Sequence, residues 1–68
     1  MKLVSGKRMC KVLEAHGWRF DRTRGSHHVY IRGNPPVSVP VPVHGSHDLK
    51  PGTQRSIMRQ AGLTDDDL

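Results

Sequence analysis

The chain of 68 residues contains only one cysteine, three aromatic residues and six acidic residues. A lone cysteine, Cys10, excludes an intrachain disulfide, and its place in a helical pattern predicts a packing residue, not a nucleophile. No apolar run reaches the length of a signal-peptide core or a membrane span, which predicts a cytoplasmic protein with no membrane partner.

The few acidic residues are unevenly placed, since three of the six lie at positions 65–67. The whole chain carries a net charge of +5, but up to Leu63 eleven basic residues face only three acidic ones, which leaves +8. Such a density of positive charge favours a polyanionic partner, and nucleic acid is the commonest one. The alternative is that the excess charge only keeps a small protein soluble.

Apolar periodicity predicts a helix followed by strands in a single domain of residues 1–68. Ser5 is a candidate N-cap for a helix in which Met9, Val12 and Leu13 share a face, and Gly17 ends it. The aromatic residues Trp18 and Phe20 then alternate with charged residues, which predicts a strand with both rings in the core.

Two further strands and a second helix follow. His27 to Arg32 reads as a strand, and a third begins at Val37, where Pro40 and Pro42 cannot donate to a ladder and predict a sheet edge. Pro51 to Gln60 reads as a helix with Gly62 after it, and residues 64–68 as a frayed end. The predicted fold class is α+β, a three-stranded antiparallel sheet with two helices on one face.

Four of the five histidines are candidates for chemistry: His27, His28, His44 and His47. A metal site is not favoured, because adjacent residues of a strand point to opposite faces and only Asp48 adds a nearby carboxylate. We therefore expect no metal and no cofactor. The scarcity of carboxylates and the absence of a strand-to-helix nucleophile elbow also argue against a Ser-His-Asp hydrolase.

RNA cleavage fits these residues better, because the ribose 2′-hydroxyl beside the phosphorus is itself the nucleophile. The protein must only move protons, which an imidazole with an unperturbed pKa of about 6.5 can do, and stabilise the phosphorane, which Lys or Arg can do. On the residues alone, an ordinary surface histidine is equally compatible with the pattern.

Several short motifs occur in one order from Leu3 to Leu63. They are Gly17-Trp18, Gly25-Ser26-His27 with Tyr30, Pro42-Val43-His44-Gly45, Leu49 with Gly52-Thr53, Ser56-Ile57, and Ala61-Gly62-Leu63. Together they strongly resemble the HicA family of bacterial and archaeal toxins.

The resemblance implies a fold similar to a double-stranded RNA-binding domain and an endoribonuclease that arrests translation by cleaving mRNA. It implies that His27, the histidine after Gly-Ser, is the catalytic residue. It also implies a HicB-like antitoxin as partner, with DNA binding left to that antitoxin.

The position of His27 on its strand stays open at the sequence level. Either Tyr30 lies under the helices and His27 faces the open side, or His27 sits at the rim where the strand begins. The predicted RNA-binding residues are Arg22, Arg24, Ser26, Lys50, Arg55 and Arg59, with Gly25 and His44 as possible auxiliary residues. His44 is also a second candidate for proton transfer, but a structural role is expected for it.

The hypothesis from the sequence is a metal-independent endoribonuclease toxin in which His27 is the general acid or base. One rival is a non-catalytic RNA-binding module that blocks translation by occupancy. A metal-dependent nuclease is the other.

Overall fold

The computed structural model describes all residues, 1–68. The elements are α1 (Gly6–Ala15), β1 (Arg19–Arg24), β2 (His27–Arg32), β3 (Val37–Pro42) and α2 (Pro51–Ala61). The strands form one antiparallel sheet in the order β1-β2-β3. The predicted α+β class and element order are confirmed.

Helix α1 begins and ends where the sequence predicts. The Ser5 hydroxyl accepts a hydrogen bond from the Arg8 amide at 3.0 Å, which caps the first turn. Gly17 adopts a φ of 87°, a conformation that favours glycine, and the helix ends two residues earlier. Met9, Val12 and Leu13 are buried against the sheet, so the predicted apolar face is correct.

Both helices cover one face of the sheet, and Tyr30 lies on that face. Its ring is buried in the same cluster as Val39 and Val41, and its hydroxyl donates a hydrogen bond to Glu14 Oε2 at 2.7 Å. Successive residues of a strand alternate between faces, so His27 and Val29 point to the opposite, open side. Of the two positions that the sequence left open for His27, the structure shows the one on the open side of the sheet, with Tyr30 under the helices.

Strand β1 is exposed along its whole length, and one prediction made for it was wrong. Trp18 is buried as expected, with 3% of its surface exposed, but Phe20 is 51% exposed. The helices pack mainly over β3, so the ring of Phe20 at the β1 edge is covered only by edge-to-face contacts with His28 and Tyr30. Strict alternation identified the correct face of Phe20 but not how far the helices reach.

Strand β3 forms the other edge, as its prolines predict. Pro40 pairs with Val29 and Pro42 pairs with His27. The Val43 amide continues the ladder with a hydrogen bond of 2.8 Å to the carbonyl of Ser26. Gly6 of α1 packs directly on this end of β3, where a Cβ would overlap the carbonyl oxygen of Pro42.

Helix α2 is joined to the N-terminal segment by one buried side chain. Gln54 is fully buried, accepts a hydrogen bond from the Val4 amide at 2.8 Å and donates to the carbonyl of Lys2 at 2.6 Å. The amide of Leu49 also donates to the carbonyl of Val4. The helix ends at Gly62, in the left-handed conformation expected of a C-terminal glycine.

The prediction of a frayed end after Leu63 was wrong. Asp65–Asp67 form a 3-10 helix whose start is capped by reciprocal hydrogen bonds between Thr64 and Asp67. The Thr64 amide, which donates to the Asp67 carboxylate, is the main cause of a lowered pKa of that group. Asp67 also lies 3.4 Å from His16 Nε2, and Leu68 packs against the core. These contacts hold the tail on α1, which a composition of acidic residues does not reveal.

Candidate nucleic-acid interface

His27 is the first residue of β2 and is exposed on the open face of the sheet. A two-residue turn, Gly25-Ser26, leads into it from Arg24, its partner on β1. Gly25 has a φ of 57°, and nothing lies within 4 Å of the place where a Cβ would stand. The turn therefore needs glycine for its backbone conformation, not for space.

An open groove of about 700 Å³ extends from His27 across the sheet. Val29, which is buried, lies in this groove between Arg22 on β1 and Pro40 on β3, its partners in the ladder. The remaining residues that line the groove are Arg24, Gly25 and Ser38. Two guanidinium groups thus border the exposed imidazole on the β1 side.

A β-bulge at Asp21 explains why both arginines reach this face. Phe20 pairs with Tyr30, whereas Arg22 pairs with Val29, so Asp21 is an extra residue on β1. In a regular strand Phe20 and Arg22 would share a face, but the bulge turns them to opposite faces. The Asp21 carboxylate forms an ion pair with Arg22, whereas Arg24 has no ion pair.

On its other side, His27 borders a second cavity of about 380 Å³ beneath the segment that connects β3 to α2. This cavity brings His27 together with His44 and Lys50, and its other polar side chains are His47, Asp48 and Thr53. A third hollow of about 410 Å³ runs from His27 toward Ser56 and Gln60 of α2. His27 is common to all three spaces.

The predicted site residues thus divide into two groups, those near His27 and those on another side of α2. Arg22, Arg24, Gly25, His44 and Lys50 lie in the spaces that His27 borders. Ser26 lies in the turn itself, where its carbonyl accepts the hydrogen bond from Val43.

Arg55 and Arg59 lie on a different side of α2, in a groove with Met1 and Leu63 that does not include His27. Their part in RNA binding stays a prediction.

The structure adds polar residues to the site that the sequence did not single out for RNA binding. Ser38 lies in the first groove, and His47 and Thr53 lie in the second cavity. Ser38 could have been found, because it precedes Pro40 and Pro42 by two and four residues and so shares their face.

Other titratable groups lie beneath the sheet, away from His27. Burial, chiefly, raises the pKa of Tyr30, and its hydrogen bond to Glu14 raises it further. Burial also raises the pKa of the Cys10 thiol, which fits the predicted packing role.

No three His, Cys, Asp or Glu side chains converge in a way that could hold a metal ion. No helix is long and apolar enough to cross a membrane.

Comparison with known families connects this geometry with a biological role. A family model described as the HicA toxin of bacterial toxin-antitoxin systems matches residues 6–63. The chain belongs to the HicA toxin family. It is therefore a toxin of a toxin-antitoxin system, with an antitoxin as partner. The match includes both helices, all three strands and His27. Among curated proteins, no match is found.

Proposed function

We propose that this HicA-family toxin is a metal-independent endoribonuclease that cleaves mRNA, with His27 as a catalytic acid or base. The observation that carries the proposal is the position of His27. Its imidazole is exposed on the open sheet face, beside Arg22 and Arg24, where three spaces in the surface meet.

The charge of this surface suits a phosphate backbone. Arg24 and Lys50 have no carboxylate partner within the chain, and they lie in the two spaces on either side of His27. A strand of RNA that crosses His27 would thus meet a cation in each direction. Such contacts hold phosphates in place without selecting a sequence.

The residues present can supply the chemistry. An imidazole can take the proton of the 2′-hydroxyl or give one to the 5′-oxygen that leaves, and these transfers contribute about 10²–10⁴-fold to such reactions. The negative charge that develops on the phosphorane would be stabilised by the Arg22 and Arg24 guanidinium groups. No water molecule is needed as the nucleophile, because the RNA carries its own in the 2′-hydroxyl.

The test compares two neighbouring histidines. His27→Ala is expected to lower the rate of RNA cleavage by the purified toxin by about 10²-fold or more, with circular dichroism and RNA binding largely unchanged. His28→Ala is the matched control, because His28 lies on the other face, where it packs against Phe20. It should retain cleavage.

Two outcomes would contradict the proposal. If the His27→Ala variant arrests growth as strongly as the unaltered toxin, and the unaltered toxin leaves RNA intact, the toxin blocks translation by occupying RNA without cleaving it. If EDTA abolishes cleavage and a divalent cation restores it, the reaction depends on a metal ion.

A further inference from the structure

We propose that His44 is a second catalytic residue, which carries out the proton transfer that His27 does not. The inference rests on the proposed function and deepens it. Cleavage by the 2′-hydroxyl needs two transfers, one from the attacking oxygen and one to the leaving oxygen, and a second imidazole beside His27 could supply the other.

The ladder between β2 and β3 determines where His44 lies. His27 is paired with Pro42, and the hydrogen bond from Val43 to Ser26 carries the pairing one residue further. Alternation then puts His44 on the face of Pro40 and Pro42, which is also the face of His27.

His44 lies just beyond β3, which ends at Pro42, and corresponds to a diagonal neighbour of His27 in the ladder that the Val43 hydrogen bond extends. Backbones of such neighbours are about 7–8 Å apart, within reach of long or aromatic side chains. Both imidazoles line the cavity of about 380 Å³ and both residues are exposed. A phosphodiester between them could be approached from two sides.

The groups that surround this pair are few. The connecting segment contributes His47, Asp48 and Lys50, β1 contributes Arg22 and Arg24 from the adjoining groove, and α2 contributes the uncharged Thr53. His47 differs from His44 because it lies beyond a turn, where its amide donates to the carbonyl of His44. The ladder does not extend to His47, so the pairing with β2 does not fix its face.

The two imidazoles would share the proton transfers of one displacement at phosphorus. One imidazole accepts the 2′-hydroxyl proton as the 2′-oxygen forms a bond to phosphorus, and the bond from phosphorus to the 5′-oxygen breaks. The other imidazole, protonated at the start, donates its proton to that oxygen. The products are a 2′,3′-cyclic phosphate and a free 5′-hydroxyl, and proton exchange with solvent restores both side chains.

The experiment measures cleavage against pH with the unaltered toxin, His44→Gln, His47→Gln and His28→Gln. Two acting imidazoles give a bell-shaped pH dependence. His44→Gln is expected to lower kcat by about 10²-fold or more, to leave the RNA dissociation constant within about twofold, and to remove one limb of the bell. His28→Gln should keep both limbs.

Several results would overturn the role of His44. A His44→Gln toxin with unaltered kcat and both limbs would do so, as would a loss explained by weaker RNA binding alone. A lost limb in His47→Gln but not in His44→Gln would move the role to His47. Failure of the unaltered toxin to cleave any RNA would instead refute the proposed function itself.

Discussion

Two arginines that border His27 should dominate the salt dependence of RNA binding. If Arg22, Arg24 and Lys50 each neutralise one phosphate of a single strand, the logarithm of affinity falls with the logarithm of salt concentration with a slope of about −2. Raising salt from about 50 to 200 mM then weakens binding about 20-fold. With R22Q/R24Q only Lys50 remains, and the slope falls to about −0.7, or about threefold over the same range.

A matched double variant makes this prediction specific. R55Q/R59Q removes the same two charges from α2, in the groove that does not include His27. Contrary to the RNA-binding role predicted for Arg55 and Arg59 from the sequence, this variant should keep a slope near that of the unaltered surface. Fluorescence anisotropy of a labelled RNA provides the assay, with His27→Ala in every protein to prevent cleavage. Equal slopes for the two double variants would refute the reasoning, because the positive charges would then attract RNA from the whole surface and not through contacts in the groove.

Other features allow separate tests. D21N removes the carboxylate that pairs with Arg22 and should tighten RNA binding, the opposite of R22Q; unaltered affinity would show that this pair does not compete with phosphate. Q54L should lower the free energy of unfolding in urea by about 1–3 kcal/mol, because the buried amide of Val4 is left without a partner; Q60L on the exposed side of α2 is the control. G6A should cost about 1–3 kcal/mol by forcing α1 off Pro42, while G52A meets nothing within 4 Å and should cost little. Because the folded pKa of Asp67 is lowered, its stabilising effect is present above the usual value of 3.8 and lost as pH falls through the folded pKa; urea unfolding at neutral and acid pH should therefore distinguish D67N from the unaltered chain only at neutral pH.

The sequence carries most of the fold because its signals are local. Ser5 and Gly17 mark α1, Gly62 marks the end of α2, and Pro40 and Pro42 mark an edge strand; each acts through its own backbone or side chain. Phe20 and the acidic tail were predicted wrongly because their surroundings are made by distant parts of the chain. How far the helices cover β1, and whether His16 lies beside Asp67, depend on tertiary packing.

The candidate site divides in the same way. His27 was identified by a family motif, but which face it occupies was decided by Tyr30, whose hydroxyl finds Glu14 of α1 on the covered side. Arg22 was selected for lying near the turn, although its orientation depends on the bulge at Asp21, which has no glycine or other sequence mark. The nearness of His44 to His27 depends on strand register, which becomes visible only once β2 and β3 are paired.

The prolines of β3 also limit how copies of this chain can join through their sheets. The outer edge of β3 offers no amide hydrogen at Pro40 or Pro42. The carbonyl groups of an incoming strand therefore find no hydrogen-bond donor at these two positions. β1 is the edge that keeps its amide donors along its whole length. Two molecules that pair through β1 would each present only the β3 edge, where the missing amides disfavour the addition of a further strand.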